Sequence, residues 1–321
     1  MSETLVFIDR STTDRGDLDF TGLESLGRLV SHPTSTREET RLRIADADIV
    51  LTNKAIVGPE EMDAAKRLKL IQVVATGVNN IDLEAARERG LAVCNVGGYS
   101  TEAVAQHVFA SLLNLATSVH RFAAEPGKWA ESPIFTRLDH PVSELSGKTL
   151  GIVGLGSIGA AVARIGAAFG MRVVAYGRDG ASDAGPIPRL APDDFFAEAD
   201  AITLHCPLTP ETRHFINAAT LAKMKPGAML INTGRGDLVN EPDLVAALRT
   251  GTLRAAAIDV LTPEPPAPDH PFLAAVADGL DNLLITPHTA WSAVEARQRL
   301  LDRIVENIQA FRNGEQLNRV V

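Results

Sequence analysis

Cysteine is scarce: Cys94 and Cys206 are the only two in 321 residues, and they stand far apart. A disulfide framework is excluded, so a reduced, cytoplasmic setting is expected. Basic excess is lacking too. Thirty-one Lys and Arg face 40 Asp and Glu, a net charge of -9, which leaves no extended surface for nucleic acid or an anionic membrane. That balance does not exclude one small anionic substrate, which answers to local charge. No apolar run reaches membrane-spanning length without a charge or breaker, and the opening MSETLVFIDR lacks a basic region followed by an apolar one. Fixed-period repeats and low-complexity tracts are also missing; TPEPPAPDHP (262–271) is too short for a linker and reads as a rigid surface loop.

What is present is an alternation of short β-branched runs with Ala-rich stretches of helical length, the pattern of an α/β protein with parallel sheets and crossover helices. The length suits two domains. TLVFID (4–9), ADIVL (47–51), LKLIQVVA (68–75) and LAVCNV (91–96) predict a small first sheet. Residues 100–119 predict one long helix, with Thr101 near its start and Val104, Val108, Leu112 and Leu115 close to helical spacing. Six more strands follow at 148–154, 171–177, 201–206, 228–234, 255–260 and 283–288, enough for a doubly wound sheet. An amphipathic helix over 292–314 ends at Gly314 and is expected to pack back onto the first domain. The layout is thus two Rossmann-like parallel-sheet domains, one flavodoxin-like and one doubly wound. A cofactor domain (101–289) is inserted in a substrate domain (1–100 plus 290–321).

GLGSIG sets Gly154, Gly156 and Gly159 directly after a strand and at the start of a helix. That context gives the three glycines their separate uses: a tight turn, close approach of backbone to a pyrophosphate, and helix-on-strand packing. Free N–H groups and the helix dipole at 156–158 would hold the anion; the alternative is a glycine turn without a ligand. About 20 residues on, a ribose-reading carboxylate is expected. The chain offers Gly177, Arg178 and Asp179 there. Gly177 removes repulsion for a 2′-phosphate and Arg178 can pair with it, which favours NADPH over NADH. Against this, Asp179 can turn in and take the ribose hydroxyls, and Arg178 can be a solvated loop charge.

Ligands of open α/β sheets bind outside the C-terminal strand ends. Arg235 in NTGRG, Asp259 and Glu264 in IDVLTPEP, and His288 in TPH stand at such ends. They make a working set for hydride transfer to a 2-oxo acid. A guanidinium grips a carboxylate through two bonds. An imidazole is the natural general acid near neutral pH, and a carboxylate behind it favours imidazolium and fixes the ring. Each has a plainer alternative: Arg235 paired with a helix end, Glu264 a loop charge, His288 a strand cap. The RGD tripeptide at 235–237 reads as a coincidence of a glycine-flanked turn.

GLGSIG, HCPLTPETRHFIN (205–217), MKPGAMLINTGRGDLVNEPDLVAAL (224–248), AAIDVLTPEP (256–265) and NLLITPHTA (282–290) together resemble the D-isomer-specific 2-hydroxyacid dehydrogenases, in matching order over nearly the whole chain. Residues 73–108 and 128–151 are similar to the glycerate dehydrogenases, also called hydroxypyruvate reductases. The resemblance implies a triad: Arg235 for the substrate carboxylate, His288 as proton donor, Glu264 supporting the histidine. It further implies that the backbone of Ala75, Thr76 and Gly77 holds the substrate, in a cleft between domains. Ser157 and Ile158 at the pyrophosphate, Cys206 and Pro207 along the cofactor, Thr233 and Gly234 beside the arginine, and Asp259 near the nicotinamide match family positions, as do Thr101 and Thr212. No metal is implied, and a homodimer built through the cofactor domain is. Most NAD-dependent members carry Asp in place of Gly177, so NADP is an open alternative to NAD.

These readings predict reduction of hydroxypyruvate, with glyoxylate as a second substrate. D-3-phosphoglycerate dehydrogenase is the nearest enzymatic rival; D-lactate and formate dehydrogenases share the fold. From another class, the fold also serves as a nucleotide-sensing corepressor. Trp129, Phe135 and Trp291 are candidates to shape the substrate pocket, with ordinary packing the plainer reading of each.

Overall fold

The structure, a computed structural model, describes residues 3–177 and 185–321. Arg178 and Asp179, which compete for the ribose position, lie outside the described residues. The chain divides into two compact units, Met1–Ser100 with Trp291–Val321, and Thr101–Ala290.

The first unit holds a five-stranded sheet of β1 (Thr4–Phe7), β2 (Arg28–Ser31), β3 (Ile49–Thr52), β4 (Leu70–Val73) and β5 (Ala92–Cys94). Every pair is parallel and the order is β2-β1-β3-β4-β5, a flavodoxin-like winding. β3 and β4 are buried throughout, as their unbroken apolar character requires when helices cover both faces. Helices α1 (Thr21–Glu24), α2 (Arg37–Arg43), α3 (Pro59–Ala64) and α4 (Leu83–Glu88) make the crossovers. Thr36 starts α2 by accepting from the Glu39 N–H while the Glu39 carboxylate accepts from the Thr36 N–H. The reading from sequence omitted β2. RLVS is an edge strand with polar ends and only partial burial, so it shows neither an apolar run nor alternation.

The second unit opens with α5 (Thr101–Thr117). The predicted helix ran to residue 119, but Ser118 takes a left-handed φ of 55° and turns the chain into α6 (Val119–Ala124). Then come β6 (Thr149–Val153), α7 (Ser157–Ala168), β7 (Arg172–Tyr176), β8 (Arg189–Leu190), α8 (Pro192–Glu198), β9 (Ala201–Leu204), α9 (Ala218–Leu221), β10 (Met229–Asn232), α10 (Glu241–Thr250), β11 (Ala255–Ile258), α11 (Pro271–Ala277) and β12 (Leu283–Ile285). The sheet has seven strands, not the six expected, because the two-residue β8 adds to the edge beside β7. All pairs are parallel, in the order β12-β11-β10-β9-β6-β7-β8. Strand order reverses between β6 and β9, where a doubly wound sheet leaves a crevice at its C-terminal edge. Strand side chains alternate between two cores. Leu150, Ile152, Met229 and Ile231 pack with Val108 and Leu112 of α5 and Val162 of α7, whereas Val153, Ile202, Leu204 and Leu230 pack with Phe195 and Phe196 of α8.

The last helix, α12 (Val294–Arg312), belongs to the first unit and buries Ala296, Leu300, Leu301, Ile304 and Ile308. Arg297 fastens it with two hydrogen bonds to the Asp17 carboxylate, at 2.8 and 2.7 Å. Beyond Gly314 the tail runs antiparallel to β5, with Val320 N donating to Val93 O at 2.7 Å and Asn95 N to Asn318 O at 3.2 Å. Among the described residues no helix is long and apolar enough to cross a membrane.

Candidate active site

The glycine turn sits at the β6/β9 reversal, and geometry separates its three members. Gly154 has φ +99°, and a Cβ there would meet Cys206 N and His205 C at 2.7 Å. A Cβ on Gly159 would fall 2.1 Å from Gly154 O, so the helix packs on the turn only with glycine. Gly156 differs, since a Cβ there meets nothing within 4 Å. That glycine is the N-cap of α7 and offers no side chain to the first-turn N–H groups, which leaves the amides at Ser157 and Ile158 available to an anion. These features fit the pyrophosphate of a dinucleotide.

The other predicted cofactor contacts are placed as follows. Thr101 begins α5, and Cys206 and Pro207 follow β9. Burial pushes the Cys206 thiol up, so it stays protonated. Burial holds His205 down at about 4, a neutral ring whose Nε2 lies 2.8 Å from Thr203 Oγ1. Thr212 is occupied locally: its Oγ1 donates to Pro207 O at 2.7 Å and accepts from Thr209 N at 2.8 Å. Thr233 Oγ1 is buried without a hydrogen-bond partner, a polar atom that a ligand group would satisfy. Gly177 has a second reason to be glycine, because a Cβ would meet Leu190 O of β8 at 2.8 Å.

Arg235 follows β10 in extended backbone, exposed, with one Nη1 hydrogen bond to Gly234 O at 2.8 Å. Its turn is built by Asn232, which sequence reasoning missed. This fully buried side chain donates to Arg235 O at 2.8 Å and accepts from Gly234 N at 3.0 Å. A polar residue ending the apolar run MLIN was the available signal. Gly236 then packs against the backbone that leads to Glu264: a Cβ would meet Leu261 C at 2.4 Å and Thr262 Oγ1 at 2.5 Å.

Glu264 is held at both oxygens. Oε1 accepts from Leu261 N at 2.8 Å, and Oε2 lies 2.5 Å from His288 Nδ1. A carboxylate only accepts, so Nδ1 carries the proton in that bond and the second ring nitrogen, Nε2, is left for chemistry. His288 itself has φ +53°, a left-handed conformation uncommon for a residue with a side chain. Its N–H donates to Asp259 O at 2.7 Å. Asp259 is 2 % exposed and accepts from Thr286 Oγ1 at 2.6 Å, Thr289 N at 2.9 Å and Ala290 N at 3.0 Å. Its carboxylate therefore serves the histidine turn, whatever it does toward a nicotinamide. The structure thus brings Glu264 and His288 together and sets Arg235 on the turn packed against the Glu264 loop. It can bind an anion, hold an imidazole in one orientation and deliver a proton.

In the first unit, Ala75, Thr76 and Gly77 follow β4. Thr76 Oγ1 donates to Val96 O at 2.8 Å, and Asn95 Nδ2 to Thr76 O at 2.7 Å. On the parallel loop after β3, the buried Asp9 carboxylate accepts from the N–H groups of Asn53, Lys54 and Ala55. Among the described residues one group of possible metal ligands lies close together, Glu125, Asp139 and His140, and its carboxylates are already paired with Lys128 and Arg137.

Known proteins resemble this chain over nearly its whole length. The profile described as "D-isomer specific 2-hydroxyacid dehydrogenase, NAD binding domain" matches residues 109–290. A hydroxypyruvate reductase of Blautia hydrogenotrophica is 38 % identical over 98 % of this chain and 98 % of its own. A glycerate dehydrogenase of Methylorubrum extorquens is 37 % identical over 99 % of both. Among solved structures, a D-lactate dehydrogenase from Aquifex aeolicus complexed with NAD and lactic acid superimposes with a TM-score of 0.83 at 29 % identity, covering 99 % of each chain.

Proposed function

This chain belongs to the D-isomer-specific 2-hydroxyacid dehydrogenases, enzymes with a nicotinamide-binding domain, and from that premise we propose that it reduces hydroxypyruvate to D-glycerate, with glyoxylate as a second substrate. The observation that carries the reading is the 2.5 Å contact of Glu264 with Nδ1 of a histidine at a strand end. The relatives named for hydroxypyruvate and glycerate support this substrate over D-lactate.

Gly154, Gly156, Ser157, Ile158 and Gly159 would hold the pyrophosphate, with Thr101, Cys206, Pro207, Thr212, Thr233, Gly234 and Asp259 along the rest of the cofactor. The nicotinamide, when bound, supplies the hydride. Arg235 binds the substrate carboxylate and orients the carbonyl, aided by the backbone of Ala75, Thr76 and Gly77. His288, protonated, donates from Nε2 to the forming alkoxide, and Glu264 stabilises the imidazolium from the other side. NADPH is the favoured cofactor and NADH is accepted, because Gly177 puts no carboxylate against a 2′-phosphate and Arg178 supplies charge. A homodimer built through the cofactor domain completes the proposal. Its support is an apolar arm after α6 on which Trp129, Phe135, Leu138 and Val142 are 63 to 89 % exposed.

The test is steady-state reduction of hydroxypyruvate, glyoxylate and pyruvate with each nicotinamide. Hydroxypyruvate is expected to give the highest kcat/KM, and His288→Ala to lower kcat by about 10²- to 10⁴-fold. Full turnover in that variant would remove the histidine from its role. Arg178→Ala is expected to raise the KM for NADPH more than for NADH; an unchanged NADPH KM would overturn the cofactor assignment.

A further inference from the structure

His107 lies on α5, on the side that buries Val104, Val108 and Ser111, yet it is not spent on apolar packing. Its Nε2 is 3.1 Å from Thr286 Oγ1 and 3.6 Å from Asp259 Oδ1. Thr286 has one hydroxyl proton, and at 2.6 Å from a carboxylate oxygen that proton goes to Asp259. The Thr286 oxygen can then only accept, so His107 must carry its proton on Nε2. The chain of donation runs His107 to Thr286 to Asp259, and the Asp259 carboxylate collects the N–H groups of Thr289 and Ala290.

The Asp259 carboxylate is 2 % exposed, and among the described residues His107 is the one basic side chain within 4.0 Å of it. A buried carboxylate with neutral donors only is costly, and a nearby imidazole that donates or carries charge lowers that cost. Through Thr289 N and Ala290 N this carboxylate holds the 286–290 turn in which His288 takes its left-handed backbone, and the Asp259 main-chain carbonyl accepts from His288 N at 2.7 Å. A non-glycine residue in that region is strained, and surrounding contacts must offset the strain.

We propose that His107 is a positioning residue for the proton donor: through Thr286 and Asp259 it holds the turn that presents the His288 ring to Glu264 and to substrate. The inference rests on the role given above to His288. Removing His107 loosens the turn and lengthens the His288–Glu264 contact without touching the groups that bind the substrate carboxylate. The effect therefore falls on kcat rather than KM. A weaker contact with Glu264 also favours imidazolium less, so the high-pH limb of the kcat profile moves to lower pH.

The experiment measures kcat, KM for hydroxypyruvate and the kcat–pH profile for the holoenzyme and for His107→Leu, His107→Gln and Thr286→Val, with His288→Ala in parallel. His107→Leu is expected to lose about tenfold in kcat with KM within about twofold, and to shift the high-pH limb downward. His107→Gln, which keeps an N–H donor, recovers most of both. Thr286→Val reproduces the loss, and the two losses are not additive in the double variant. If His107→Leu folds with a lowered Tm but an unmoved pH profile and full kcat, the residue is structural only and the proposal fails. If His107→Leu does not fold, the Thr286→Val and His107→Gln profiles decide it in the same way. An inactive His288→Ala beside a fully active, unshifted His107→Leu removes the positioning role alone; a fully active His288→Ala removes both readings.

Discussion

Gly236 shows how little freedom the residues around the arginine have. A single methyl at this position would enter the backbone of Leu261, which cannot swing aside, and would also meet the Thr262 hydroxyl. Gly236→Ala is expected to push the Arg235 turn off the loop that carries Glu264. The cost is about 1–3 kcal/mol of stability, with a fall in kcat/KM larger than any loss of folded protein explains. Thermal unfolding and kinetics on the same preparation check this, and a variant with wild-type kcat/KM would show that the two loops are independent. At this scale the proposed site residues Arg235, Glu264 and His288 are legible as polar residues that follow strand ends. The sequence is silent on what holds them. Asn232 and His107 act through partners 2 to 179 positions away, and no spacing rule announces such a partner.

Elements were legible in proportion to their burial. β3, β4, β9 and β10 are buried throughout and stand out as apolar runs. β2 and β8 do not, because edge strands are half exposed and short, and their pairing comes from the sheet rather than from their own pattern. The long α5 was legible by periodicity, but its end was not, since Ser118 takes a left-handed turn without glycine. α12 offers a test of what fastens a helix that returns from the end of the chain. The hydrogen bonds from Arg297 hold the Asp17 carboxyl down at about 2, below its unfolded value of about 4. The folded state therefore binds that proton more weakly. The stabilisation is complete above about pH 4 and is lost as pH falls through about 2. Between those values the Tm of the wild type is expected to fall more steeply than that of Asp17→Asn, and parallel curves would show that the pair contributes nothing.

For the whole molecule, the proposed homodimer makes the most direct prediction. Phe135 and Leu138 are 89 and 80 % exposed within the arm after α6, an arrangement that a chain on its own in water has no reason to keep. Light scattering is expected to give twice the chain mass for the wild type and the chain mass for Phe135→Glu with Leu138→Glu. A wild-type monomer would remove the dimer from the proposal. The division into two sheets was legible because the alternation of strands and helices restarts after one long helix. Within the first unit, distant parts of the chain are joined by pairs such as Arg297 with Asp17, 280 positions apart.

That pairing also carries a meaning for synthesis. A ribosome releases the chain from residue 1 onward, so the segment Thr101–Ala290 is complete, with all seven of its strands, before α12 and the tail beside β5 exist. The inserted unit can close on contacts that are local to itself. The five-stranded unit must wait through that interval with the faces that α12 and the tail will cover still open to water, a period in which the nascent chain is exposed to aggregation and depends on whatever shields it.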